Sequence, residues 1–140
     1  LCRGLLGMRT YCGHRRGTAD VRRGNCGAQA MLIYSIWKAG FDPADVKWMI
    51  LSHGHMDHFG AANFFKRMFG TKIYLSEPDT KMFREHPEQS MVQISGNCMD
   101  ELFEPDVEIH DGERMKFGNT EVQFYLVPGH TEGVSPAFSM

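Results

Sequence analysis

The most informative stretch of this chain is Ser52-His53-Gly54-His55-Met56-Asp57-His58, in which three imidazoles and a carboxylate occupy six consecutive positions. It follows the apolar run Trp48-Met49-Ile50-Leu51, which predicts a short buried strand. Residues two apart point in different directions on a helix, so His53 and His55 converge only if the backbone is extended or looped. The sequence therefore predicts a cluster of polar side chains at the carboxyl end of a strand, where open sheets place their chemistry.

Imidazole and carboxylate donors at such close spacing are typical of a metal site. Neutral imidazole suits zinc, copper, iron and nickel, and carboxylates accept harder ions, so the mixed set favours zinc, with iron or manganese as alternatives. Asp57 alone would cap the helix that follows, and a single histidine would be a surface or core residue. Three histidines together with the aspartate have no ordinary capping or packing explanation, so we interpret the stretch as a metal site.

Apolar spacing with start and stop signals predicts an alternation of helices and antiparallel strands. Helices are expected at residues 29–39, 61–69 and 76 to about 85. Strands are expected at residues 48–51, 72–75 and 120–127, with a hairpin over residues 108–117 around Asp111-Gly112. Residues 86–100 predict a loop that shapes access to the site. His86 and His110 are interpreted as surface or turn residues.

The order His53-x-His55-x-Asp57-His58 resembles the HxHxDH signature of the metallo-β-lactamase superfamily of binuclear metallohydrolases. A second motif agrees with it. The β-rich run at residues 121–127 ends in Pro128-Gly129-His130-Thr131, which resembles the next motif of the family, a histidine on the turn after a strand. The resemblance covers about residues 33–140.

This resemblance implies an α/β fold, a partial αββα sandwich with the metal ions at one sheet edge. It implies that His53, His55 and His130 bind one ion, while Asp57 and His58 bind the other. The expected cofactor is Zn²⁺, two ions per intact site, with Fe or Mn as alternatives. Asp57 is the expected catalytic residue, which would orient a metal-bound hydroxide while binding the second ion.

The implied activity is hydrolysis, in which metal-bound hydroxide attacks an ester, thioester, lactone or β-lactam carbonyl of a small-molecule substrate. Flavodiiron oxidoreductases of the same fold typically carry Glu at the position of His55, so this residue favours a hydrolase. One alternative is a catalytically inactive metal-binding remnant. A second is a phosphodiesterase or nuclease, but residues 32–140 carry a net charge of −7, and phosphate backbones favour positive charge. Nucleic acid is therefore disfavoured as a partner.

The family pattern also requires a bridging Asp and a final His beyond the position of Met140. We therefore interpret the chain as a fragment of a larger enzyme, with its N-terminal strands garbled or absent and its C-terminal third missing. Because the binuclear site would lack those ligands, the fragment itself is expected to have negligible hydrolase activity.

Residues 1–31 differ from the rest of the chain, since they hold six Arg, three of the four Cys and a single acidic residue, for a net charge of +5. They show neither helical nor strand periodicity. We interpret them as a frameshifted segment, because freely chosen synonymous codons read one base out of phase permit an apolar strand there. A disordered basic tail is the alternative. In either case residues 1 to about 31 are not expected to fold into the domain at residues 32–140.

The 140 residues, 42% of them apolar, are enough for one domain with a core. Only Cys98 lies outside the basic segment, so no disulfide framework is indicated. No signal-peptide pattern and no apolar run of about 18 residues appears. We expect no membrane association and favour a cytoplasmic location, while the oligomeric state is left open.

Overall fold

A computed structural model of the chain describes residues 10–14, 17–21, 28–92 and 102–133. The strands are β1 (Thr10–His14), β2 (Gly17–Val21), β3 (Trp48–Ile50), β4 (Lys72–Ser76), β5 (Val107–Ile109), β6 (Arg114–Phe117) and β7 (Thr120–Gln123). The helices are α1 (Ala28–Lys38), α2 (Met56–Phe59), α3 (Ala62–Phe69) and α4 (Glu77–Glu85), with 3-10 turns at Pro43–Asp45 and Pro87–Ser90.

The main sheet has five strands in the order β2-β1-β3-β4-β5. Strands β3, β4 and β5 are parallel, whereas β1 is antiparallel to both of its neighbours. The chain crosses from β3 to β4 through α2 and α3, and from β4 to β5 through α4. Because parallel strands need such crossovers, the carboxyl ends of β3, β4 and β5 lie at one edge of the sheet. The expectation of antiparallel strands is wrong for these three.

Both faces of the main sheet are buried, by different layers. Met49 and Leu51 pack into a core with the helices, which contribute Leu32, Phe65 and Phe83. Ile50 lies between them in sequence and faces a second core. That core is completed by the second sheet and consists of Ile50, Ile109, Phe117, Val122 and Phe124. The layers are therefore helix, sheet and sheet, which confirms a partial αββα sandwich.

The second sheet is the hairpin formed by β6 and β7, with Phe117 opposite Thr120. The hairpin predicted around Asp111-Gly112 is wrong, because β5 pairs with β4 and β6 pairs with β7. Gly112 does form a turn, at φ 74°, but this turn carries the chain from one sheet to the other. The turn itself was correctly predicted, whereas the pairing of β5 follows the full burial of Ile109 between the two sheets.

The helices lie close to their predicted bounds. Gly70 ends α3 in the left-handed conformation and donates its N–H to Lys66 O at 3.1 Å, as a glycine C-cap does. Asp57 and His58 belong to the separate four-residue helix α2. Strand β7 ends at Gln123, four residues earlier than expected.

Strands β1 and β2 lie within the basic segment, where the sequence shows no strand periodicity. Their backbones pair with each other, and β1 also pairs with β3, with Tyr11 opposite Ile50. Helix α1 begins at Ala28, inside the same segment. That residues 1–31 do not fold into the domain in solution stays a prediction. Residues 93–100 of the predicted access loop lie outside the described residues.

Candidate metal centre

The loop after β3 carries the clustered histidines. Leu51 is fully buried and donates its N–H to Tyr74 O at 2.9 Å, which ties the start of the loop to β4. His55 has φ −89° and ψ 146° at the start of α2, so the backbone is extended there as predicted. The rings of His53 and His55 therefore converge, with centroids 4.8 Å apart.

His130 reaches the same place from a distant part of the chain. Its Nε2 lies 3.0 Å from Nδ1 of His55, across 75 positions in sequence. Its ring centroid is 4.9 Å from that of His53. The turn that follows the second sheet thus brings a third imidazole to the carboxyl end of β3.

Two groups of potential ligands result. His53, His55 and His130 each offer one ligand atom, and these atoms lie within 4.8 Å of one another. The same limit holds for His53, Asp57 and His58. The structure therefore brings together all five side chains singled out in the sequence, and it places His53 in both groups.

The donor atoms themselves fit a metal ion. His53 is only 5% exposed, and its buried Nε2 has no hydrogen-bond partner among the described residues. An unpaired buried polar atom is costly, and here it faces a cluster of other imidazoles. Three imidazoles within ligand distance of one another are a donor set that zinc binds in catalytic sites.

Burial favours the neutral form of three of the imidazoles, those of His53, His55 and His58. Burial lowers the pKa of His53 to about 3, and the neighbouring His58, His55 and His130 lower it in turn. Burial likewise lowers the pKa of His58 to about 4 and shifts that of His55 downwards. Metal ions bind the neutral form of histidine, so at neutral pH the nitrogen lone pairs do not have to be freed of protons.

Ser52 is a supporting residue to which the sequence interpretation gave no role. Its Oγ lies 2.6 Å from Nδ1 of His58 and 3.3 Å from Nδ1 of His53. A hydrogen bond at Nδ1 orients an imidazole so that Nε2 faces a ligand. The available signal was a small polar residue between an apolar strand and the first histidine.

Gly54 is needed for close packing. A Cβ there would lie 2.6 Å from Cε of Met82 and 2.9 Å from Cε1 of Phe83, both on α4. Its N–H donates to Oδ2 of Asp79 at 3.2 Å. The loop is thus pressed against α4, and Asp79 is a second residue near the site that the sequence interpretation missed.

A cleft of about 310 Å³ opens beside His55 and His130. Its far wall comes mainly from α4, including Lys81 and Glu85, and from His86. His86 and His110 are exposed, as predicted, and neither belongs to a group of potential metal ligands within the described residues. The start of the predicted access loop therefore lines this cleft.

Comparison with known proteins agrees with the geometry. The family model of the metallo-beta-lactamase superfamily matches residues 24–135. The chain belongs to this superfamily. Over 91 residues it is 37% identical to the hydroxyacylglutathione hydrolase GloC of Haemophilus influenzae, covering 64% of this chain and 42% of GloC.

Solved metallo-beta-lactamase structures have the same fold. The FEZ-1 enzyme of Legionella gormanii is 27% identical, with a TM-score of 0.74 over 94% of this chain and 50% of that one. The GOB-18 enzyme of Elizabethkingia meningoseptica is 25% identical, with a TM-score of 0.75 over 93% of this chain and 48% of that one. The chain thus spans about half the length of these superfamily members. Within the described residues, no helix has the length and apolar character to cross a membrane.

Proposed function

We propose that the chain forms the metal centre of a hydrolase that cleaves a carbonyl substrate, an ester, thioester, lactone or β-lactam. The observation that carries this proposal is the convergence of His53, His55 and His130, with the unpartnered Nε2 of His53 among them. Core packing does not explain three imidazoles this close together, one of them with a buried unpartnered nitrogen. It fits a zinc ion that holds one coordination position open for chemistry.

In this proposal His53, His55 and His130 hold one zinc ion, and Asp57 and His58 hold a second. Bound zinc would polarise a substrate carbonyl and lower the pKa of water to about 7. The half-buried carboxylate of Asp57 lies 3.8 Å from Nε2 of His58. From there it can accept a hydrogen bond from the attacking water and orient it. Ser52 would hold the ring of His58 in position.

A thioester is the first of the four substrate classes to test. Support comes from the similarity to GloC, whose name describes hydrolysis of a hydroxyacylglutathione. The cleft beside His55 and His130 has the volume of a small-molecule site. Lys81 on its wall is a cation that can face a substrate carboxylate. A hydrolysis assay with one substrate of each class tests this choice. Faster hydrolysis of an ester, lactone or β-lactam than of the thioester would contradict it.

Zinc content tests the metal centre directly. The purified chain is expected to bind about one zinc ion tightly and any second ion weakly. The triple variant His53→Ala, His55→Ala, His130→Ala is expected to lose the tightly bound ion. The double variant His86→Ala, His110→Ala removes exposed histidines outside both ligand groups and is the matched control. Elemental analysis after dialysis gives the stoichiometry. Equal zinc content in the triple variant and in the unmodified chain would contradict the ligand assignment.

A further inference from the structure

Asp79 is a buried carboxylate that belongs to neither group of potential ligands. It lies in the first turn of α4 and is 1% exposed. Burial raises its pKa, because the charged form is poorly solvated there. A carboxylate so placed needs hydrogen bonds to offset its burial, and two of the residues that contact it, Gly54 and Gly133, belong to the segments carrying the histidines.

The first of these contacts is to the loop after β3. Oδ2 of Asp79 accepts the N–H of Gly54 at 3.2 Å. Gly54 stands between His53 and His55 in sequence. The bond therefore fixes the backbone of the residue that separates two of the potential ligands. A Cβ at Gly54 would lie 3.3 Å from Cβ of Asp79, which shows how closely the loop approaches α4.

The second contact is to the turn that carries His130. Gly133 packs directly on Asp79, since a Cβ there would lie 2.8 Å from its Cγ and 2.9 Å from its Oδ2. Only a residue without a side chain permits this approach. The same carboxylate therefore touches both segments that supply the three imidazoles.

Asp79 itself is held on a fixed element. The Ser76 hydroxyl donates to its Oδ2 at 3.1 Å and accepts its backbone N–H at 3.4 Å. Ser76 is the last residue of β4 and the N-cap of α4. The side chains at the start of a helix ordinarily bond only to backbone groups of that helix. Here the Asp79 carboxylate also accepts the N–H of Gly54.

We propose that Asp79 is a positioning residue of the metal centre. It holds the backbone of the His53–His55 segment against the turn of His130, so that the three imidazoles converge. This inference rests on the proposed zinc site. A carboxylate that only stabilises α4 would affect the stability of the fold and leave metal affinity unchanged.

Two substitutions separate these roles. Asp79→Ala removes the acceptor of the Gly54 N–H and is expected to lower zinc affinity about 10–100-fold, as changes in residues that orient metal ligands do. Asp79→Asn keeps an oxygen for Gly54 and is expected to lose less. Zinc affinity is measured by competition with a chelator. The absorption spectrum of the Co²⁺-substituted chain reports ligand geometry, and we expect Asp79→Ala to change it.

Asp106→Ala is the matched control. Asp106 also accepts a backbone N–H of the main sheet, that of Ile73 at 2.8 Å, but it precedes β5, at the edge of the sheet opposite the histidines. This variant is expected to lower thermal stability while leaving the zinc affinity and the Co²⁺ spectrum unchanged.

The outcomes are distinguishable. If the unmodified chain binds no zinc, the proposed function fails. If it binds zinc and Asp79→Ala binds equally tightly with an unchanged Co²⁺ spectrum, the inference about Asp79 is overturned while the metal centre stands. Should Asp79→Ala fail to fold, Gly133→Ala replaces it, because its Cβ would collide with the Ser76 hydroxyl and with the Asp79 carboxylate that this hydroxyl holds. Unchanged zinc affinity in a folded Gly133→Ala variant would overturn the inference equally.

Discussion

The two segments that supply the histidines are built differently. The loop at residues 52–58 is mostly buried: His53, His55 and His58 are between 5% and 7% exposed. The turn at residues 128–130 is exposed, and its backbone is held locally by the N–H of Gly129 donating to Thr131 O at 3.0 Å. The comparison indicates that the core positions one part of the site, whereas the other part is supplied by an exposed turn that packs against it.

The largest expected effect is a loss of zinc affinity when one ligand is removed from each of the two segments. His53→Ala should reduce zinc affinity more than His130→Ala, because His53 belongs to both ligand groups and His130 to one. Both losses should exceed the roughly 10–100-fold typical of residues that only support a ligand. Chelator competition measures both variants side by side. A larger loss for His130→Ala would reverse the comparison.

Matched glycine substitutions test the difference in packing. Gly54→Ala would place a Cβ against Met82 and Phe83, whereas a Cβ at Gly129 would meet nothing within 4 Å. Overpacking of this kind costs about 1–3 kcal/mol, so we expect that loss for Gly54→Ala and a much smaller change for Gly129→Ala. Denaturant unfolding of the metal-free chain measures both. Equal stabilities would show that the loop is not tightly packed against α4.

The buried histidines of the loop should make the stability of the metal-free chain depend on pH. The pKa values of His53 and His58 are lowered from the ordinary 6.5 to about 3 and about 4. Below pH 6.5 these two histidines are therefore protonated in the unfolded chain but not in the folded chain. The free energy of unfolding falls as the pH falls towards 4. His53→Gln should flatten this dependence for the metal-free chain. A pH series of melting temperatures checks it, and an unchanged slope would contradict the role of burial.

Removing the basic segment, residues 1–31, is expected to have the smallest effect on the metal centre. Trypsin should cut within residues 3–23 first, because a segment dominated by Arg and Gly offers little apolar surface to offset about 1–2 kcal/mol of backbone entropy per residue. The remaining core should retain its zinc, since both groups of potential ligands found among the described residues lie after residue 52. Hydrogen exchange gives an independent measurement. Protection of residues 3–23 equal to that of residues 47–51 would contradict the frameshift hypothesis.

Four of the five potential ligands and most helix ends can be predicted from the sequence alone, because they depend on residues that are close together along the chain. His53, His55, Asp57 and His58 are close along the chain, so their shared chemistry shows without a fold. Ser76 and Pro78 mark the start of α4 by capping chemistry that needs no distant partner.

The strand pairing and the residues that support the site depend on contacts between distant parts of the chain, so the sequence did not reveal them. Strand β5 pairs with β4 rather than β6, because burying Ile109 between the layers outweighs a favourable local turn. The contact of Asp79 with Gly54 spans 25 positions, and no spacing rule reveals it. A buried carboxylate acquires its role from the backbone groups that surround it, and these come together only when β3, β4 and the turn of His130 meet at one edge of the sheet.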